Sequence, residues 1–197
     1  MSNEKAKATD LVAGGMVANT GASEGVKATG KYFIECYDKD GNLKWTDESK
    51  NLVVNVGLQD MNTKYFSGSS YTAAWYLGLV TGPGSGTTFS AADTLASHGA
   101  TGSGGWTENT NYSGNRKAAT FGTATTADPS VISNSASAAV FTMTSNAQTI
   151  AGAFLISNST KGGSTGTLFS EASFSSPGNR SVVSGDTLNV TYTFSLS

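Results

Sequence analysis

At 197 residues the chain has room for one domain with a sizeable core, and a net charge of −2 with only 13% charged residues argues against a dedicated nucleic-acid binder. Gly, Ser and Thr make up roughly two residues in five, which excludes the Ala-, Glu-, Lys- and Leu-rich make-up of coiled coils and helical bundles. The 38% hydrophobic and 10% aromatic residues exclude a chain disordered throughout, and no run reaches the roughly 18 apolar residues of a membrane span.

Residues 1–30 are small and polar, with repeated Gly and no sustained period of 2 or 3.6, so this segment is not expected to fold alone. Its apolar pairs, Leu11 with Val12 and Met16 with Val17, suit an extended arm laid in a partner's groove; the plainer reading is a flexible terminus. Just over half of all charged residues precede Asn51, which points to the arm and the first hairpin as the contacting region. The start of the chain lacks a signal-peptide core, so synthesis and folding in the cytoplasm are expected.

A β-sandwich domain is expected over residues 31–197. It opens with a hairpin, Lys31 to Tyr37 and Leu43 to Thr46, around the turn Asp38-Lys-Asp-Gly-Asn42. That turn begins like a calcium loop, but Gly41 comes too early and Ser49 stands where the bidentate Glu belongs. A third strand is expected at Asn51 to Val56 and a short amphipathic helix at Leu58 to Phe66, with Leu58, Met61, Tyr65 and Phe66 on its apolar face. The nearly continuous apolar run Ala74 to Val80 reads as a buried strand. Residues 81–114 read as a long Gly-rich loop in which Ser90 and Asp93 cap one turn.

Six further strands are expected at Arg116 to Phe121, Ala138 to Met143, Thr149 to Ser157, Gly166 to Phe174, Arg180 to Val183 and Thr187 to Leu196. The last alternates strictly, with Leu188, Val190, Tyr192, Phe194 and Leu196 on one face. The total is an all-β, antiparallel, jelly-roll-like β-sandwich with an extended N-terminal arm and one short helix.

Little in this chain resembles catalytic or metal chemistry. The lone Cys36 shares a strand face with Tyr32 and Ile34 and reads as buried; the lone His98 sits in a Gly/Ser loop with no nucleophile elbow. Among Asp60, Asp93, Glu108, Asp128, Glu171 and Asp186, spacing singles out no pair for acid–base work. No catalytic, cofactor or metal residue is assigned, and no enzyme activity is expected. The candidates for contact are aromatic: Phe89, Trp106 and Tyr112 of the long loop, which either stack on a sugar or partner or pack beneath the loop as a satellite cluster.

The segments Ala74 to Val80, Ala92 to His98, Gly105 to Glu108, Ala151 to Phe154, Gly166 to Glu171 and Gly185 to Tyr192 resemble, in that order, small structural proteins of tailed bacteriophages, in particular capsid decoration or cement proteins. The resemblance covers roughly the middle and C-terminal two-thirds and carries no functional residue with it. It implies a virion component on the capsid surface, with the major capsid protein and further copies of itself as partners, a homotrimer or a dimer, and no nucleic-acid or membrane partner. A tail, fibre or carbohydrate-binding module presenting Trp106 and Tyr112 is the alternative.

Overall fold

The computed structural model describes residues 25–68, 71–82, 88–96 and 105–197. The arm residues Leu11, Val12, Met16 and Val17, and His98, lie outside the described residues.

Among the described residues, eleven strands and one α-helix follow in chain order: β1 Ala28–Tyr37, β2 Leu43–Lys50, β3 Leu52–Val53, α1 Asn55–Phe66, β4 Tyr76–Thr81, β5 Lys117–Ala118, β6 Ser130–Ser133, β7 Ala139–Thr142, β8 Gln148–Ile156, β9 Leu168–Ser173, β10 Arg180–Val182 and β11 Thr187–Leu196. They form two antiparallel sheets, ordered β2-β1-β11-β6 with β7 also on β11, and β3-β9-β8-β4-β5 with β10 also on β8. An all-β sandwich is therefore the architecture.

Each sheet is organised around one long strand whose neighbour on one side is split in two. In the first sheet, β11 pairs with β1 along its whole length, and on its other edge with β7 at Thr187 to Val190 and β6 at Thr193 to Leu196. The gap between β7 and β6 is filled by Asn134, which is fully buried. Its Oδ1 accepts the Tyr192 N–H at 2.6 Å and its Nδ2 donates to the Val190 carbonyl at 3.2 Å, so one side chain stands in for the missing strand. In the second sheet β8 pairs with β4 on one side and with β9 and β10 in succession on the other.

The core between the sheets takes Tyr32, Ile34 and Cys36 of β1, Leu188, Val190 and Tyr192 of β11, and Leu77 and Leu79 of β4. Cys36 is buried as expected, and burial pushes its thiol up to about 12, out of the reactive range. One polar node sits inside this core: the Tyr32 hydroxyl lies 2.7 Å from Ser170 Oγ, which donates to the Tyr192 hydroxyl at 3.2 Å, and Asn51 Nδ2 donates to the same hydroxyl at 2.8 Å. The predicted turn is also present, with Asp38 Oδ1 accepting the N–H groups of Asp40 and Asn42. Those bonds and the Asn42 amide hold the Asp38 carboxyl below its usual value.

Several boundaries differ from expectation. The expected strand at Asn51 to Val56 shrinks to Leu52–Val53, because the Val54 carbonyl accepts the first helical N–H bonds and α1 starts at Asn55. At Gly57 the helix lies so close to β9 that a Cβ would stand 2.5 Å from the Phe169 carbonyl oxygen. The strand expected at Arg116 to Phe121 is only Lys117–Ala118, and β6 was not anticipated. The first strand begins at Ala28, three residues into the segment assigned to the arm.

The long loop forms a third layer. Val80, Ala151, Phe154, Ile156 and Leu168 on the outer face of the second sheet make a second buried cluster with Leu95 and Trp106 of the loop. This explains why β4 and β8 are apolar almost without alternation: each is covered on both faces.

Candidate functional site

Of the loop aromatics singled out from sequence, Phe89 and Trp106 belong to this third layer and Tyr112 to the core between the sheets. Trp106 is 2% exposed and Tyr112 is 1% exposed, so neither offers a ring face to a sugar or a partner. Trp106 lies 5.0 Å from the Phe154 ring, with the half-buried Phe89 stacked on it at 6.3 Å. Tyr112 meets Phe141 edge to face at 4.9 Å. Of the two readings open for these rings, packing holds for both: Trp106 covers the apolar outer face of the second sheet, and Tyr112 is part of the core between the sheets.

Two carboxylates are sealed under the same layer. Glu108 is gripped by Arg116 through two parallel bonds, Nε to Oε1 at 2.9 Å and Nη2 to Oε2 at 2.7 Å, with both side chains essentially unexposed. The Gly162 N–H and the Tyr112 hydroxyl also donate to Glu108, and Arg116 donates to the carbonyls of Asn158 and Gly163. Glu171 is fully buried and accepts from Trp106 Nε1 at 2.9 Å and the Ser90 N–H at 3.1 Å, and it shares a hydrogen bond with the Asp93 carboxyl. Burial, then the bond to Asp93 and its charge, raise the Glu171 carboxyl from 4.5 to about 8.

Spacing gave no reason to join Asp93 to Glu171; the fold does so by laying the loop over β9 of the second sheet. Two acids in direct hydrogen bond lie closer than the roughly 5 Å or more that flanks a sugar in glycoside hydrolysis, and their burial fits a fastening for the loop. Asp93 also accepts the Ser90 N–H at 2.9 Å, closing the single turn predicted there.

The open concave feature lies elsewhere, in a cavity of about 560 Å³ between α1, residues 71–75 and the ends of both sheets. Tyr192 and Phe194 of β11, Phe169 of β9 and Phe121 form its aromatic inner wall. Met61, Tyr65, Tyr71 and Trp75 form its outer side. Four polar groups at its rim are paired with one another. Lys64 Nζ donates to Asp60 Oδ2 at 2.7 Å and sits 4.2 Å from the Tyr71 ring centre, and Trp75 Nε1 donates to the Tyr71 hydroxyl at 2.6 Å.

No family model matches this chain, and neither a curated protein nor a solved structure is similar to it.

The helix explains why sequence reasoning passed over this cavity. Its apolar spacing predicted a buried face through Leu58, Met61, Tyr65 and Phe66, yet Tyr65 is 81% and Phe66 78% exposed, and Gly57 is the helix's buried residue. Tyr71 is 44% exposed beside them. An aromatic pair predicted to be covered and left open is the signal that marks this surface.

Proposed function

We propose that the protein is a virion structural component, a capsid decoration or cement protein that binds the outer surface of a phage shell. In this reading residues 1–30 and the β1–β2 hairpin contact the major capsid protein, and the body assembles as a homotrimer at the three-fold positions or, failing that, as a dimer. The proposal extends to a jelly-roll winding of the sandwich.

The observation that carries the reading is the division of labour between margin and body. In the body, Glu108, Glu171 and Asp186 all have internal partners, as do the aromatic rings of the loop. The margin is different: among the described residues β2 pairs with β1 alone, and its open edge carries the exposed Lys50 and the exposed Lys31–Glu48 pair. Charged edge strands keep a protein soluble while leaving backbone groups free to receive a partner's strand. A rigid body with one adhesive margin suits a subunit that must bind many equivalent places. The phage resemblance of the middle and C-terminal segments points the same way.

Quantitative mass spectrometry of purified particles tests the proposal. A copy number comparable with that of the major shell subunit is expected, together with cross-links from Lys31, Lys39 or Lys44 to that subunit. A copy number matching the tail components, or absence from the particle, overturns it.

A further inference from the structure

The aromatic cavity is open, and its chemistry selects its occupant. A glycan needs hydroxyl partners, but the carboxylate and ammonium at this rim, Asp60 and Lys64, are already bonded to each other, and the Trp75 N–H is taken by Tyr71. Apart from the Tyr65 hydroxyl, the rest of the lining is ring faces, aliphatic carbons and the Met61 thioether, which favour aliphatic side chains on an uncharged stretch of peptide.

Such a stretch lies in the same chain. Between residues 1 and 24 the apolar pairs are Leu11 with Val12 and Met16 with Val17, separated by Ala and Gly and free of charge from Leu11 to Ser23. The segment leads into β1, where Ala28 pairs with Leu196 and Gly30 with Phe194, and Phe194 is itself part of the cavity wall. The entry to β1 therefore lies about two residues of strand from the cavity, roughly 7 Å. Eight residues of extended chain, from Val17 to Gly25, reach up to about 28 Å. Lys27 still pairs with Ser197, beyond Phe194, so the chain has to turn back to enter the cavity, and its length is sufficient for that.

We infer that in the free protein the Leu11–Val12 and Met16–Val17 region docks into the Tyr65, Tyr71, Trp75 and Phe194 cavity of its own chain, covering the aromatic surface that α1 leaves open. The inference rests on the residues of this chain and not on the capsid reading, so either can fail without the other. Together with it, the arm is stored against the body until a shell surface competes for it.

The test uses the isolated full-length protein. With benzoyl-phenylalanine in place of Met16, irradiation of a dilute mixture of isotope-light and isotope-heavy chains is expected to give cross-links to residues 61–75 or to Phe194 within one chain. Cross-links joining light to heavy chains give the cavity to a second copy and overturn the inference, as do cross-links that miss the cavity. Independently, the full-length variant L11D/V12D/M16D/V17D is expected to bind bis-ANS several-fold more strongly and to shift the Trp75 indole N–H resonance, with the far-ultraviolet circular dichroism unchanged. Dye binding and a Trp75 resonance equal to those of the parent overturn it.

Discussion

Glu108 and Glu171 are carboxylates sealed behind the same loop layer, yet they are kept there by opposite means. Glu108 faces a guanidinium in a two-bond fork, and the pair is neutral as a whole. Glu171 has an indole, a backbone N–H and a neighbouring acid. The first solution keeps the charge and matches it; the second holds on to the proton. Both clusters touch the Phe154 ring, through Arg116 at 5.4 Å and Trp106 at 5.0 Å, so one side chain separates an ionic fastening from a protonic one. Burial alone does not decide the state of an acid; the partners supplied with it do.

The contrast breaks most severely at Arg116. Arg116→Met leaves Glu108 charged and without its counter-ion, at a cost of about 3–5 kcal/mol in denaturant unfolding, whereas the double variant Arg116→Met with Glu108→Leu recovers much of that loss. Glu171 responds to pH instead. Its folded carboxyl holds a proton up to about 8 while the unfolded one ionises near 4.5, so its contribution to stability is full below pH 4.5 and is lost as pH rises to about 8. Unfolding measured from pH 5 to 8 is expected to show this decline, of the order of 1 kcal/mol per pH unit at its steepest. Glu171→Gln, which mimics the protonated acid, should flatten the decline and make the protein more stable at pH 8.

Gly78→Ala strikes both clusters at once. Its Cβ would stand 2.2 Å from Phe154 Cζ, and the displaced ring should cost about 1–3 kcal/mol and quench or shift Trp106 fluorescence. The smallest effect belongs to Tyr112→Phe, which removes one donor from Glu108 at 3.2 Å and leaves the Arg116 fork in place; about 1 kcal/mol or less is expected from thermal unfolding.

What could be read from the sequence follows the reach of each signal. The alternation of β11, the Asp38 turn and the burial of Cys36 are local patterns, and the structure reproduces each, the alternation as far as Tyr192. The helix was legible as a helix, but its apolar face was not a guide to what it buries, because Gly57 against the Phe169 carbonyl sets the closest contact. Trp106 stood open between contact and packing because a two-layer sandwich leaves an outer face to solvent. The unbroken apolar run of β4 already called for a cover on that side. The Asp93–Glu171 pair and the Asn134 bridge join residues far apart in the chain, and no spacing rule reaches them.

The pairing of β1 with β11 has a temporal side. The first strand of the sandwich waits for the last, from Ala28 to Leu196, before its inner edge is satisfied, and β6, β7 and Asn134 all dock on that same late strand. During synthesis the second sheet has β4, β8 and β9 in hand while the first is still a lone hairpin. Closure of the first sheet is thus reserved for a chain synthesised past Leu196, and a fold dominated by such distant pairings forms slowly. A chain that stops before β11 would leave the edge of β1 unpaired beside its apolar face of Tyr32, Ile34 and Cys36, a surface open to proteolysis and aggregation.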